Sequence, residues 1–488
     1  METKGRIQTF FGTVIIFLIL SFYPSFIIFS HIFVSYHRFY NRTIQIEMNL
    51  FIYSLFIIAV NSSVFIVNKI LKKKISIVLV LLVTNILQIF VWLIYYFFSI
   101  FSIYYLFFLI IVIGLCYGIN ISYSIKNLLN YSEDKNDYLP NILLGFISCL
   151  TSLIFSIFIL YFSKLILLFS DKEKAENVLD RYFFPYYYTS FIKDYSFYFV
   201  FVLISLTLIS FIIHNTNKDG IEDNEFEELL SGNFSENFSN EDEEKKKIKD
   251  YGRTNLIVLV PLLSFPVFYK PLVTGQEKLT EKIFKGNYKI AYESKRFFLI
   301  FFFSMLLNFS EEILFNTFII RVIHAHLNII YIYCLISGIS FIIGIIYLLI
   351  IKKKEKLSFR NLLFIKVIFS ITLSILVLKN FYFHYIFIVL IGILFVLNQE
   401  IIYMHLTEVF TEDYSAYLFQ MCSTSKGISS LLGTIILYFM CKSYLIDKSD
   451  AYNFIYYCSI GTNILSLLIS FLESKKKFDY SKNVIKTE

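Results

Sequence analysis

The stretch LNFSEEILFN, residues 307–316, places two adjacent carboxylates, Glu311 and Glu312, inside an otherwise apolar run. Read as a helix at 100° per residue, Ser304, Asn308, Glu311, Glu312 and Asn316 fall within an arc of roughly 140° and so share one face. An ionised carboxylate near the bilayer centre costs roughly 2.5–3.5 kcal/mol on insertion scales. Such a group persists where it faces a wet cavity, meets a cation or keeps a proton. Two neighbouring carboxylates also repel, which favours one of them holding its proton. That chemistry suits coupling to protons, or binding of a cationic or amino-bearing solute. The alternative places the pair in water at the outer edge of the span. A helix entering near Arg296 carries Glu311 about 23 Å along its axis, which is in the outer half of a core about 30 Å thick.

Other polar residues in apolar runs extend the candidate set. Tyr117 and Asn120, in GLCYGINISYS (114–124), are suited to hydrogen-bonding a solute or to joining two helices. Asn398 and Glu400 lie in LNQEIIYMH (397–405), where Asn398, Gln399 and Glu400 are consecutive and cannot share one narrow face. Glu400 is near the end of its span, and His405 and Glu408 are expected in the loop beyond it. Lys426 is expected to snorkel to the interface or to pair with Glu400 or Glu408. Gly114 and Gly118 form a small-xxx-small pair suited to close helix packing. His324 and His326 alone make an incomplete ligand set, and the six cysteines are scattered through apolar runs, so neither a metal site nor a cofactor is expected.

These residues must be positioned by membrane helices. The chain of 488 residues is 57% hydrophobic and only 17% charged, against about 25% charged in soluble domains. Apolar runs of about 20 residues recur along nearly all of it. Twelve spans are predicted, at 9–31, 50–68, 75–97, 101–122, 141–163, 195–214, 296–318, 328–350, 361–378, 382–404, 422–441 and 453–472. The fold class is thus an all-α polytopic membrane protein, with a six-helix bundle over 1–214, a central loop over 215–295, a second six-helix bundle over 296–472 and a tail over 473–488. Short loops rich in Lys and Arg (KILKKK at 69–74, KKKEKLSFR at 352–360, with Lys366 and Lys426 counted among them) place both termini in the cytoplasm. The net charge of +7 is accounted for by this bias and does not imply nucleic acid as a partner. The partners implied are the lipid bilayer and a small solute, with protons as a candidate.

The central loop opens acidic, as DGIEDNEFEELLSGNFSENFSNEDEE, and turns basic at KKKIKDYGR. Its first part has the composition of a disordered segment. NLIVLVPLLSFPVFY, 255–269, is short for a span and holds Pro261 and Pro266, so an interfacial or docking segment is expected there.

The two halves echo each other, since span 2, KILKKK and span 3 match span 8, KKKEK and span 9. Internal repeats of this kind build many secondary transporters. In this arrangement the chain resembles the major facilitator superfamily. The stretch 127–155 is similar to that superfamily's polar loop and small-residue start of helix 5, and 408–433 is similar to the matching loop into helix 11. The loop between spans 2 and 3, VNKILKKKIS, keeps only the basic residues of the family's Gly-x-x-x-Asp-Arg core. The bias toward Phe, Ile, Tyr, Asn and Lys suggests an AT-rich genome like that of malaria parasites. Apicomplexan amino acid transporters and folate–biopterin transporters are the branches it resembles. The resemblance implies a central cavity lined by helices 1, 4, 7 and 10 and solute movement by alternating access. A membrane-embedded transferase, a channel and a scramblase are the rival classes. No Walker-type nucleotide loop is present.

Overall fold

A membrane-crossing segment must satisfy its backbone internally, and a helix does this within one segment. The computed structural model describes residues 11–12, 14–15, 30–45, 48–71, 77–130, 191–215, 256–258, 267–269, 291–324, 359–379, 394, 397–398, 401–410, 412–443 and 448–472. Its helices are α1 (30–40), α2 (Met48–Leu71), α3 (Ile77–Phe98), α4 (Tyr104–Asn130), α5 (Phe191–Asn215), α6 (Lys295–His324), α7 (Phe359–Lys379), α8 (401–409), α9 (Glu412–Ser443) and α10 (Lys448–Leu472). Each falls on a predicted span or extends one. Predicted spans 5 and 8 lie outside the described residues. Among those described, windows within α3, α5, α6, α7 and α10 are long and apolar enough to cross a membrane.

Two stretches differ from the sequence reading. Leu256–Val258 (β1) and Val267–Tyr269 (β2) pair antiparallel, with Ile257 opposite Phe268, where an interfacial or docking segment was expected. Pro261 and Pro266 both fall between the strands in sequence and oppose a helix there. The flanks are rich in Val, Ile and aromatic residues, which favour strands. The last helices also start earlier or run longer than hydropathy alone gives. Thus α9 begins at Glu412, ten residues before the predicted 422, and α6 continues to His324.

Side-chain distribution on α3 is that of a helix in lipid. Leu79, Val83, Ile86, Phe90 and Phe97 form its exposed stripe, while Thr84, Asn85, Gln88, Trp92 and Tyr95 are buried. Lipid tails accept the apolar stripe without cost, and the polar groups find partners inside the bundle. Packing follows two groups. In the first, α4 packs on α2 and α3, and α3 packs on α5; in the second, α6 packs on α9 and α10, and α7 packs on α10. The most extensive described contact between the groups is α2 against α9. The second group's core joins Phe303 and Leu307 of α6, Leu363 of α7, Ile402 and Leu406 of α8, and Phe419 and Cys422 of α9.

Glycine sets the closest approach of α4 to α2. A Cβ at Gly118 would lie 2.0 Å from Ser63 Oγ and 2.7 Å from the Val60 carbonyl oxygen. The small-xxx-small pair is therefore a packing device. Gly118→Leu is expected to lower both the yield of monodisperse protein and the thermal midpoint in detergent, since overpacking costs roughly 1–3 kcal/mol. Gly461→Ala, at a site with nothing within 4 Å of the added carbon, is the control expected to change neither. Equal midpoints for the two variants would remove the close-packing role of Gly118.

Candidate functional site

Residues four apart on a helix lie nearly above one another. On α6 the row Ser304, Asn308, Glu312 and Asn316 faces α9. Ser304 Oγ is 2.6 Å from Ser425 Oγ, and Asn308 Nδ2 donates to Ser425 Oγ at 3.2 Å. Glu312 Oε1 lies 3.6 Å from Lys426 Nζ, and Asn316 Nδ2 donates to Thr434 Oγ1 at 3.3 Å. Residue numbers rise together along both helices, so α6 and α9 run parallel. Between these polar rungs, Ser429 Oγ donates to the Met305 carbonyl at 2.8 Å.

Glu311 is turned 100° from its neighbour and leaves this row. Lys366 Nζ of α7 meets both its oxygens, at 3.0 Å and 3.2 Å. Ser370 Oγ donates to Oε1 at 3.0 Å, and Asn398 Nδ2 donates to Oε2 at 2.9 Å. Ser310 Oγ donates to Oε2 as well. Behind these partners stands Asn463 of α10. Its Oδ1 accepts from Lys366 Nζ at 2.9 Å, and its Nδ2 donates to Ser370 Oγ at 3.0 Å. Asn398 Nδ2 also reaches the Leu307 carbonyl at 3.1 Å. Glu311 and Lys366 are each 0% exposed, so this is a buried network within the second group of helices. The shared face expected from the 140° arc is thus divided in two. Neither acid is exposed to water.

Glu312 is also 0% exposed but is held differently. Lys426, Ser430 and Tyr53 surround its carboxylate, yet neither of its oxygens makes a hydrogen bond of regular geometry among the described residues. Tyr53 belongs to α2, so this acid sits where the two groups of helices meet. The Tyr53 and Phe315 rings are 5.4 Å apart there. Ser54 Oγ donates to the Ser430 carbonyl at 3.1 Å and lies 2.5 Å from Thr434 Oγ1. Phe51 packs on Tyr438, with ring centroids at 5.5 Å. A Cβ on Gly427 would come within 2.6 Å of Ile58 Cα. Pairings of Phe51 with Tyr438, Ser54 with Ser430 and Ile58 with Gly427 show that α2 and α9 run antiparallel.

The lysines depart most from the sequence reading. Lys366, counted with the cytoplasmic charges, is the buried partner of Glu311. Lys426, expected at the interface or beside Glu400 or Glu408, pairs with Glu312 and is 2% exposed. It lies fourteen residues into α9, about 21 Å along the axis at 1.5 Å per residue. Its side chain is turned into the bundle toward Glu312. His405, expected in a loop, is in α8, stacked on Phe359 at 4.3 Å with Phe303 edge-on at 5.1 Å. Glu408 is exposed, and its Oε1 accepts from the Phe359 amide at 3.4 Å. Asn120 joins helices within the first group. It accepts from Thr84 Oγ1, and its Nδ2 donates to Asn85 Oδ1 at 3.1 Å. The buried Tyr117 ring lies 5.4 Å from Phe56. Glu400, like His326, lies outside the described residues.

Sequence reasoning missed Lys366, Ser370, Asn463 and Tyr53. One signal was available for Lys366, because a lysine within an apolar span marks a functional or paired position by default. Another was the serine and asparagine stripe at 459, 463, 466 and 470 on the last span. Among the described residues no group of three or more His, Cys, Asp or Glu side chains is placed to hold a metal.

No family model and no curated protein sequence matches the chain. Solved structures do. A point mutant of the nucleoside transporter NupG superposes with a TM-score of 0.57 at 12% identity, covering 94% of this chain and 99% of that one. Another structure of the nucleoside transporter NupG gives 0.55 at 11% identity, covering 96% and 98%. The E. coli fucose:proton symporter FucP gives 0.49 at 10% identity, covering 94% and 97%. Likeness at this identity speaks to fold alone. With the apolar helices and the two packed groups, the chain is an integral multi-pass membrane protein with the two-bundle, twelve-helix fold of major-facilitator transporters.

Proposed function

We propose that the chain is a secondary active transporter that moves a small polar solute by alternating access, with Glu312 as the carboxylate that meets the transported cation. That cation is a coupling proton or the amino group of the solute. The observation that carries this reading is the Glu312–Lys426 pair, buried against Tyr53 of α2 at the line along which the two bundles meet. In a two-bundle transporter the halves rock about a site between them. A group on that line changes its surroundings during each cycle, whereas a group enclosed within one half does not. The two adjacent acids therefore divide their roles: Glu311 holds the second bundle together and Glu312 serves transport.

The division has an energetic basis. Removing one partner of a buried ion pair costs about 3–5 kcal/mol because the other charge is left uncompensated, while replacing both with apolar groups is often neutral. Glu311→Gln and Lys366→Met are each expected to lower the thermal midpoint by several degrees and to reduce folded yield. Glu311→Leu combined with Lys366→Met should recover most of that loss. A double variant as unstable as the sum of the singles would show that the charges do more than cancel each other.

Transport is tested in reconstituted vesicles, with a solute panel run with and without a proton gradient. Saturable uptake is expected. Glu312→Gln should lower it about tenfold or more per molecule of folded protein in the vesicles, as expected from losing a charged contact of about 1.5–3 kcal/mol. Wild-type rate and wild-type response to the gradient in Glu312→Gln would overturn the assignment.

A further inference from the structure

Glu312 is enclosed by side chains from both bundles. Lys426 and Ser430 reach it from α9, which shares the second bundle with α6. The Tyr53 hydroxyl reaches it from α2, in the first bundle. Several contacts fix where Tyr53 stands. Its ring lies 5.4 Å from that of Phe315, which follows Glu312 by three residues and so shares its face of α6. The next residue on α2, Ser54, donates to the Ser430 carbonyl at 3.1 Å and lies 2.5 Å from Thr434 Oγ1. Gly427 admits the α2 backbone, since a Cβ there would stand 2.6 Å from Ile58 Cα. Tyr53, Glu312 and Phe315 are all buried.

Resting on the transporter reading, we infer that Tyr53 covers the face of Glu312 by which the transported cation reaches it. Bundles that rock as rigid bodies keep the contacts within each bundle and change the contacts between them. Glu312 therefore keeps Lys426 and Ser430 through the cycle, and it loses Tyr53 when α2 leaves α9. The carboxylate is then uncovered on its α2 side. Water and a cation arrive from that side, while Lys426 stays on the α9 side of the carboxylate. When α2 returns, the Tyr53 ring closes over the site again, held against Phe315. The hydroxyl then faces a carboxylate that has no water, which spares it an unsatisfied burial. Tyr53 is thus a positioning residue, acting on the carboxylate and not on the solute. Glu311 is the internal reference. Its partners Lys366, Ser370 and Asn398 all lie within the second bundle, so rocking leaves it covered.

The test uses the full chain in liposomes and a water-soluble cationic carbodiimide, which modifies a carboxyl group it can reach. The modified residue is located by fragment mass spectrometry. Tyr53→Ala should raise the labelling rate at Glu312 about tenfold or more, since a minor open state is populated at only about 0.1–10% and the variant is uncovered throughout. Tyr53→Phe keeps the ring and should label as the wild type does. Labelling at Glu311 should be the same in all three. A second measurement leaves Tyr53 in place. Ser54→Cys with Thr434→Cys joins α2 to α9 where these two side chains already meet. Oxidation of that variant should suppress labelling at Glu312, and reduction should restore it. Wild-type labelling in Tyr53→Ala overturns the inference, as does equal labelling of the oxidised and reduced double variant. Faster labelling of Glu311 and Glu312 together in Tyr53→Ala shows general loosening of the bundle and overturns it as well. None of these readings requires uptake, so the transporter reading stands or falls separately, on saturable uptake by the wild type.

Discussion

A charge inside a membrane protein is tolerated only with its counter-charge in reach, and that requirement organises the second bundle. Glu311 is the strict case. Its carboxylate draws Lys366 and Ser370 from α7, Asn398 from the adjoining span and, through Lys366 and Ser370, Asn463 from α10. Four spans converge on one pair of oxygens. Apolar packing between helices has little specificity in lipid, because lipid tails are as apolar as leucine. The acid supplies that specificity. Only one rotation of α6 satisfies it, and that rotation brings Ser304, Asn308, Glu312 and Asn316 to α9. The position of Glu312 thus follows from the fixing of Glu311, one residue and 100° away.

The two bundles use different polar chemistry for the same task. In the first, Thr84, Asn85 and Gln88 of α3 and Asn120 of α4 make an uncharged cluster, and Gly118 brings α4 against α2. In the second, a full ion pair carries the load. Between them, at α2 and α9, the polar contacts are hydroxyls: Ser54 against Ser430 and Thr434. Hydrogen bonds between membrane helices average about 0.6 kcal/mol in double-mutant cycles. By that measure the uncharged cluster of the first bundle and the hydroxyl contacts at the seam are alike, and the Glu311–Lys366 pair of the second bundle is the contact most costly to break.

Span positions were legible because hydropathy reports them directly, and the polar face of α6 was legible because a period of 3.6 sorts residues by angle. What failed was finer. The arc of 140° grouped Glu311 with Glu312, although the row with four-residue spacing contains only Glu312. No local pattern separates the two, since the difference lies in what each faces. Their partners are 55 and 114 positions away in sequence, and hydropathy says nothing about which span stands beside which. The lysines were misplaced for a related reason. Both lie in the first third of an apolar run as hydropathy draws it, where a basic residue ordinarily reports the cytoplasmic edge. For Lys426 the error came from the helix start, since α9 begins at Glu412 and carries the residue deep into the bundle. The pairing of β1 with β2 was hidden by an apolar stretch whose length suggested the interface.

Depth and direction together explain why Glu312 and Lys426 meet at all. Ser304 meets Ser425 and Asn316 meets Thr434 on the parallel helices α6 and α9, so Glu312 stands further along the shared direction than Lys426. The offset is within what a lysine stem spans, and Lys426 reaches along α9 toward its partner rather than out to water. A lysine held this way has exchanged its hydration for a buried carboxylate, and that carboxylate is enclosed by Lys426, Ser430 and Tyr53. Their mutual attraction is strong only while both remain enclosed. The strength of the pair thus depends on how completely α2, α6 and α9 enclose it.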